Sequence, residues 1–166
     1  LFFPKQFLPK VQARTQNSTE GFDALTTQYN WAGQPLVVVQ QQDKQGDNAQ
    51  VHTLVTTSNY DDLGRLLDLE KTVHSTIGGQ AVTQPTQQLL RQQYDALGQL
   101  QQKVIGQDLE TLDYSYNIRG WLLGLNRDYL KDQGQRYFGF ELGYDKPASV
   151  ISGTQYATAQ YNGNIS

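Results

Sequence analysis

The stretch Tyr94-Asp95-Ala96-Leu97-Gly98-Gln99-Leu100 decides the fold, because the chain repeats its pattern three more times. Tyr60-Asp61-Asp62-Leu63-Gly64-Arg65-Leu66 is the closest copy, and looser copies begin at Tyr29 and Tyr116. Each copy contains an aromatic residue, Asp or Asn, two variable residues, Gly, one further residue and then an apolar residue, which Pro35 delays by one position in the first copy. Four copies of one pattern indicate a repeat architecture.

Each copy predicts the tip of a β-hairpin. The Asp or Asn side chain can accept a hydrogen bond from the backbone two residues on, and the Gly supplies the positive φ that closes a type I turn with a bulge. The aromatic residue ends one strand, and the apolar residue after the Gly opens the next. The predicted structural turn residues are Tyr29, Asn30, Gly33, Tyr60, Asp61, Gly64, Tyr94, Asp95, Gly98, Tyr116, Asn117 and Gly120.

The stretches between the turns have the composition of strands. Residues 36–60 are rich in Val and Thr and predict a hairpin around the polar tip 43–48. Residues 67–73 alternate apolar and polar, which is the period of a half-buried strand. Residues 89–107 fit a helix about as well as a hairpin by spacing alone, and the match of Gly98 to the other copies favours the hairpin.

The remaining segments complete an all-β fold of tandem antiparallel β-hairpins with at most short helices. Residues 75–88, rich in Thr, Gln and Gly, predict a flexible loop, and residues 126–135 predict one short helical turn. Phe138, Phe140, Leu142 and Tyr144 predict one face of a strand, and residues 155–160 predict a last short strand.

Two regions are expected along the chain. Residues 1–20 predict an extended N-terminal segment that docks on a neighbouring element, because Pro4 and Pro9 interrupt any helix. Residues 21–166 form the repeat hairpin region. The chain starts at Leu1 rather than Met, so we expect it to be a fragment of a longer protein.

At these motifs the chain resembles the YD-repeat, or Rhs, family of bacterial proteins. Residues 60–66 match the family signature of Tyr-Asp, two residues and Gly-Arg-Leu at every position. The tracts LDYSYNIRGW (112–121), FGFELGYD (138–145) and AQYNGNIS (159–166) are also similar to the family, and the resemblance covers about residues 20–166. Departures from the signature are Asn for Asp at Asn30 and Asn117, and replacement of the Arg at Gln34, Gln99 and Trp121.

The resemblance implies a non-catalytic structural role. In the family, such hairpins form part of a larger hollow β-shell that encloses a C-terminal effector, often a toxin. This chain would then be shell wall in a secreted or cell-surface protein whose export signal lies outside the segment. Its partners would be neighbouring repeats of the same longer chain, the effector cargo and the secretion machinery. The aspartyl self-cleavage centre of some family members has no match here.

Composition narrows the function classes. A net charge of −3 gives no basic footprint for nucleic acid. The absence of Cys excludes a disulfide framework and a thiolate metal site. No stretch approaches the ~20 apolar residues of a transmembrane helix.

Motifs for chemistry are sparse, so we expect no enzyme activity, no cofactor and no metal. His52 and His74 are assigned to strands as solvent-facing residues, and the Asp61-Asp62 pair is explained by the turn. Trp31 and Trp121 remain candidates for stacking on a ligand such as a sugar, with Trp31 the more accessible. Two alternatives therefore stay open: a surface adhesin or carbohydrate-binding module, and an exported substrate bound to its secretion machinery.

Overall fold

The computed structural model describes residues 11–132, 136–146, 148–156 and 158–165. The described part of the chain is antiparallel β-structure with one short helix. Its elements are β1 (Val11–Gln16), β2 (Phe22–Tyr29), β3 (Pro35–Lys44), β4 (Gln50–Tyr60), β5 (Leu66–Ile77), β6 (Gln80–Thr83), β7 (Gln87–Tyr94), β8 (Leu100–Ile105), β9 (Glu110–Tyr116), β10 (Leu122–Leu125), α1 (Tyr129–Asp132) and β11 (Phe140–Glu141). The predicted fold of tandem antiparallel hairpins is confirmed.

The chain divides into two compact units, Leu1–Arg91 and Gln92–Ser166. In the first unit the strands follow the order β1-β2-β3-β4-β5, and every neighbouring pair is antiparallel. The long strand β5 then pairs twice, with β7 through its first half and with β6 through its second half. In the second unit, β8, β9, β10 and β11 follow one another in the same antiparallel manner.

Both faces of the first unit carry apolar rows, because residues paired directly across antiparallel strands share a face. Val39 pairs with Val55, and Leu54, on the opposite face, pairs with Val73. These side chains are only half-buried, and Ala24, at 8% exposed, is the one apolar side chain among the described residues of this unit that is buried. The second unit buries Val104, Leu125 and Tyr144. Neither unit therefore has a large core of its own among the described residues.

The loop predicted for residues 75–88 is wrong. Gly78 and Gly79 both have positive φ, 56° and 78°, and form a two-residue turn between β5 and β6. Two consecutive residues with positive φ are the requirement of a tight hairpin turn, which Gly meets without strain. The Thr and Gln content that suggested a loop instead supplies exposed strand residues, with β7 starting already at Gln87.

Two strands near the C-terminus were predicted longer than they are. The strand over 138–144 shrinks to Phe140–Glu141, and Gly139 and Gly143 on either side lie where a side chain would clash with neighbouring groups. A Cβ at Gly139 would lie 2.7 Å from the Asn126 carbonyl oxygen. Of the strand over 155–160, the described residues keep a single bridge between Ala148 and Gln155.

The described residues include only part of the extended segment predicted for residues 1–20. Residues 1–10 of the predicted extended segment lie outside them. Residues 11–16 form β1 and pair along their whole length with β2. The short helical turn expected over 126–135 is α1.

Candidate functional site

The four repeat turns share one hydrogen-bond arrangement around their Asp or Asn. The Asp61 Oδ1 accepts the Leu63 N–H at 3.0 Å and the Arg65 N–H at 2.8 Å. The side chains of Asn30, Asp95 and Asn117 accept the same two N–H groups, two and four residues on, at 2.8–3.0 Å. Asn serves as well as Asp, because both bonds use the side-chain oxygen as acceptor.

The backbone of each turn closes in the same way. The Asp61 N–H donates to the Arg65 carbonyl at 2.9 Å, and the Gly64 N–H donates to the Asp61 carbonyl at 3.0 Å. Equivalent pairs occur in the other three turns, whose glycines have φ of 78–83°. This left-handed conformation explains why Gly stands at the same place in every copy. β2, β4, β7 and β9 each end at the repeat tyrosine.

Two of the repeat tyrosines, Tyr60 and Tyr116, bond to the strand that follows the preceding turn. The Tyr60 hydroxyl donates to the Pro35 carbonyl at 3.1 Å, and the Tyr116 hydroxyl donates to the Leu100 carbonyl at 3.0 Å. In both cases the acceptor is the first residue of the strand that follows the preceding turn. Tyr144 makes the same bond to Leu122 at 3.1 Å, so it occupies a fifth repeat position. The Tyr-Asp pair at 144–145 was the sequence signal for this role.

In three of the four turns, the side chain of the residue after the turn Gly lies close to a glycine of a later turn. Gln34 Nε2 donates to the Gly64 carbonyl at 2.6 Å. Gln99 Nε2 lies 2.8 Å from the place that a Cβ on Gly120 would occupy. The Trp121 ring lies 3.2 Å from the place that a Cβ on Gly163 would occupy. Gln34, Gln99 and Trp121, which stand where the copy at residues 60–66 has Arg65, are therefore positions at which one turn meets another.

The two tryptophans differ in exposure. Trp31 is 69% exposed at the first turn tip. Trp121 is half-buried, and the centroid of its ring lies 5.3 Å from the centroid of the Tyr144 ring. The Arg119 guanidinium lies 5.0 Å from the centroid of the Trp121 ring. Trp31 can therefore meet a ligand from solvent, whereas Trp121 is held within the second unit by aromatic packing.

The second unit also contains a hydrogen-bonded carboxylate, Glu141, beside a cavity of about 420 Å³. Glu141 accepts from the Arg127 guanidinium at 2.6 Å, the Ser149 hydroxyl at 2.7 Å and the Val150 N–H at 3.0 Å. Burial raises its pKa, but the hydrogen bonds from Ser149, Val150 and Arg127 outweigh burial and lower the pKa to about 2. Tyr156, which is partly buried and hydrogen-bonded to Glu141, has its pKa raised to about 12.

The Glu141 cluster ties the C-terminal loop to the hairpins. Its partners come from the segment after β10 and from the loop after β11, and each described hydrogen bond uses the charged carboxylate as acceptor. Such an arrangement stabilises the charged form of Glu141 and joins the three segments. Neither histidine is among the described residues that line the adjacent cavity.

The histidines lie on strands of the first unit. His52 Nδ1 is 2.8 Å from the Ser75 hydroxyl, and His74 Nδ1 is 3.0 Å from the Thr83 hydroxyl. In the part of the chain that the structure describes, no three His, Asp or Glu side chains are grouped so that they could hold a metal ion. The described residues also include no helix with the length and apolar character needed to cross a bilayer.

No family model matches the chain, and no curated protein or solved structure matches it either.

Proposed function

We propose that this chain is a non-catalytic structural segment of an exported YD-repeat, or Rhs-type, protein. Its hairpins would form part of a β-shell wall that encloses a C-terminal effector. The observation that carries the proposal is the identical construction of the four turns, each with the same side-chain acceptor, the same backbone closure and the same Gly.

The contacts between turns support a wall rather than a set of separate hairpins. Within the first unit, Gln34 and Tyr60 bond the first turn to the second. Within the second unit, Tyr116 and Tyr144 repeat the tyrosine bond. Within each unit, neighbouring repeats are thus joined by hydrogen bonds, as in repeat proteins whose stability is a sum of units and interfaces.

The half-buried apolar rows on both faces of the first unit favour a sheet that meets other surfaces. Val39 and Val55 on one face, and Leu54 and Val73 on the other, keep part of their apolar area exposed. Burying such area stabilises by about 25 cal/mol per Å². In a wall with an enclosed polypeptide on one side, contact with that polypeptide would bury the apolar area of one face.

The test is made on the natural polypeptide that contains the segment. A wall role requires a secreted chain much longer than 166 residues, with a C-terminal part that resists protease while the hairpins are intact. The Gly64→Val and Gly120→Val changes should open the wall and expose that part to cleavage. A natural polypeptide no longer than this segment, folding alone as a monomer, would contradict the proposal.

A second candidate is an adhesin or carbohydrate-binding module, which the exposure of Trp31 favours. Stacking on an exposed indole is a common way for proteins to hold a sugar ring. Glycan binding that is lost in Trp31→Ala and kept in Leu63→Ala would support this function, since both side chains are exposed at turn tips. Equal loss in the two variants, or no glycan binding by the wild type, would argue against it.

A further inference from the structure

The cavity beside the Glu141 cluster has the size of a small-molecule site. Its volume is about 420 Å³. Ligand pockets in proteins commonly measure about 300–1,000 Å³ and combine an apolar wall with a few polar groups. Every described residue that lines the cavity lies between Tyr116 and Tyr156, so the cavity belongs to the second unit alone.

The inner wall of the cavity is apolar. Tyr144 is buried, and its hydroxyl already donates to the Leu122 carbonyl, so the cavity meets the ring rather than an O–H donor. Leu123 and Leu142 are half-buried and also line the cavity. Removing apolar area from water is favourable, so this wall suits the apolar part of a ligand.

The charged groups around the cavity leave an excess of positive charge. Arg127 and Glu141 form an ion pair at 2.6 Å and cancel each other. The other charged side chains among the described lining residues are Arg119, Lys146 and Asp145, two cations against one carboxylate. Arg119 and Lys146 are exposed, so they stand at the rim of the cavity. Lys146 forms no ion pair with any described residue.

We propose that this cavity binds a free amphiphilic anion, an apolar chain that ends in a single carboxylate. The chain would lie against Leu123, Leu142 and Tyr144, and the carboxylate would meet Lys146 at the rim. Arg119 would contribute a second positive charge, although it already donates to the Tyr161 carbonyl at 3.3 Å. The proposal concerns the second unit only and does not depend on the wall function.

The experiment uses Trp121 as a reporter. The Trp31→Phe variant of the full chain keeps Trp121 as its only tryptophan, because the sequence contains two. The Trp121 ring is 5.3 Å from the ring of Tyr144, which lines the cavity, so its fluorescence should change when the cavity is filled.

Three probes, each below its micelle concentration, separate the two parts of the ligand. Decanoate carries both an alkyl chain and a carboxylate, decyltrimethylammonium carries the same alkyl chain with a positive head group, and acetate carries the carboxylate without the chain. Decanoate should give a saturable change in Trp121 fluorescence that fits one site. Decyltrimethylammonium should bind more weakly, and acetate should give no change at the same concentrations.

Variants of the lining residues test the position of the site. Lys146→Gln should weaken decanoate binding about tenfold, as expected for the loss of one hydrogen bond to a charged group. Lys131→Gln is the matched control, since it removes the same charge from the same unit at a residue outside the cavity lining, and it should bind decanoate like the parent. Ala148 is exposed and lines the cavity, so Ala148→Phe should reduce binding by filling space without disturbing a buried contact.

Urea unfolding of each variant identifies any loss of binding that comes from loss of the fold. Three results would overturn the proposal: no saturable change with decanoate, equal affinity for decanoate and decyltrimethylammonium, or equal decanoate affinity in Lys146→Gln and Lys131→Gln. If Lys146→Gln fails to fold, Ala148→Phe decides in its place, and undiminished decanoate binding by that variant would likewise refute the site.

Discussion

The replacement of turn glycines by alanine separates the two reasons for having Gly at these positions. Gly33 and Gly64 have nearly the same φ, 79° and 80°. A Cβ at Gly33 would meet no atom within 4 Å, whereas a Cβ at Gly64 would lie 3.0 Å from Gln34 Nε2. Gly33→Ala therefore reports the cost of the backbone conformation, and Gly64→Ala reports the same cost plus displacement of the Gln34 side chain.

The magnitudes follow from these two terms. A non-Gly residue in the left-handed region costs about 1–2 kcal/mol, so Gly33→Ala should lower the free energy of unfolding by that amount. Gly64→Ala should cost about 1 kcal/mol more, because the displaced Gln34 loses its hydrogen bond to the Gly64 carbonyl, a bond with a typical net value of about 0.5–1.5 kcal/mol. Both glycines lie in the first unit, so one unfolding transition can be compared for both variants.

A double-mutant cycle tests the explanation. Urea unfolding followed by far-UV circular dichroism is measured for the wild type, Gly64→Ala, Gln34→Ala and the double variant. In the Gln34→Ala background, Gly64→Ala should cost no more than Gly33→Ala, giving a coupling energy of about 1 kcal/mol between the two sites. Equal costs for Gly33→Ala and Gly64→Ala in the wild-type background, or an additive double variant, would refute the role assigned to Gln34.

Three further changes test other contacts. Tyr60→Phe should lower the free energy of unfolding by about 0.5–1.5 kcal/mol through loss of the bond to Pro35, while Tyr29→Phe, whose hydroxyl has no described acceptor, should change it little; urea unfolding measures both. Asp61→Asn should destabilise less than Asp61→Ala, because Asn30 and Asn117 show that an amide can accept both turn bonds; the same assay decides, and equal losses would contradict this. The folded-state pKa of Glu141 lies at about 2, below the ordinary value of 4.5, so its stabilisation is complete above pH 4.5 and is lost as pH falls towards 2. The protection factor of the Val150 amide, which is its exchange rate relative to the intrinsic rate at the same pH, should fall over that pH range in the wild type and show no such step in Glu141→Gln.

The turns were predictable because their structure is encoded locally. An acceptor side chain at one position and a Gly three residues later determine both hydrogen bonds and the positive φ, whatever lies elsewhere in the chain. The same reasoning resolved residues 89–107 as a hairpin, since Gly98 has a φ of 83° and ends the turn between β7 and β8. The period of two in β5 was likewise visible in the sequence.

The parts that sequence reasoning missed depend on contacts between distant segments. The Glu141 cluster joins residues from three separate segments, and none of Arg127, Ser149 or Tyr156 stands in a motif. The β5–β6 turn was missed for a different reason, because Gly78-Gly79 sits in a Thr- and Gln-rich setting that suggested a loop. A pair of consecutive glycines between two β-branched segments was the signal that could have identified it.

The residue after the turn Gly shows how a repeat can keep one turn structure while the contacts between turns differ in stability. Its position is fixed by the turn, and the side chains of Gln34, Gln99 and Trp121 each lie close to a glycine of a later turn. Its chemistry differs: Gln34 forms a hydrogen bond of 2.6 Å, Gln99 makes a close amide contact, and Trp121 packs an aromatic ring. Because each junction involves only neighbouring repeats, its stability can change without altering the turn itself. Departures from a strict repeat at this position are therefore best understood as adjustments of individual junctions, and substitutions there should change the stability of one junction while the four turns keep their form.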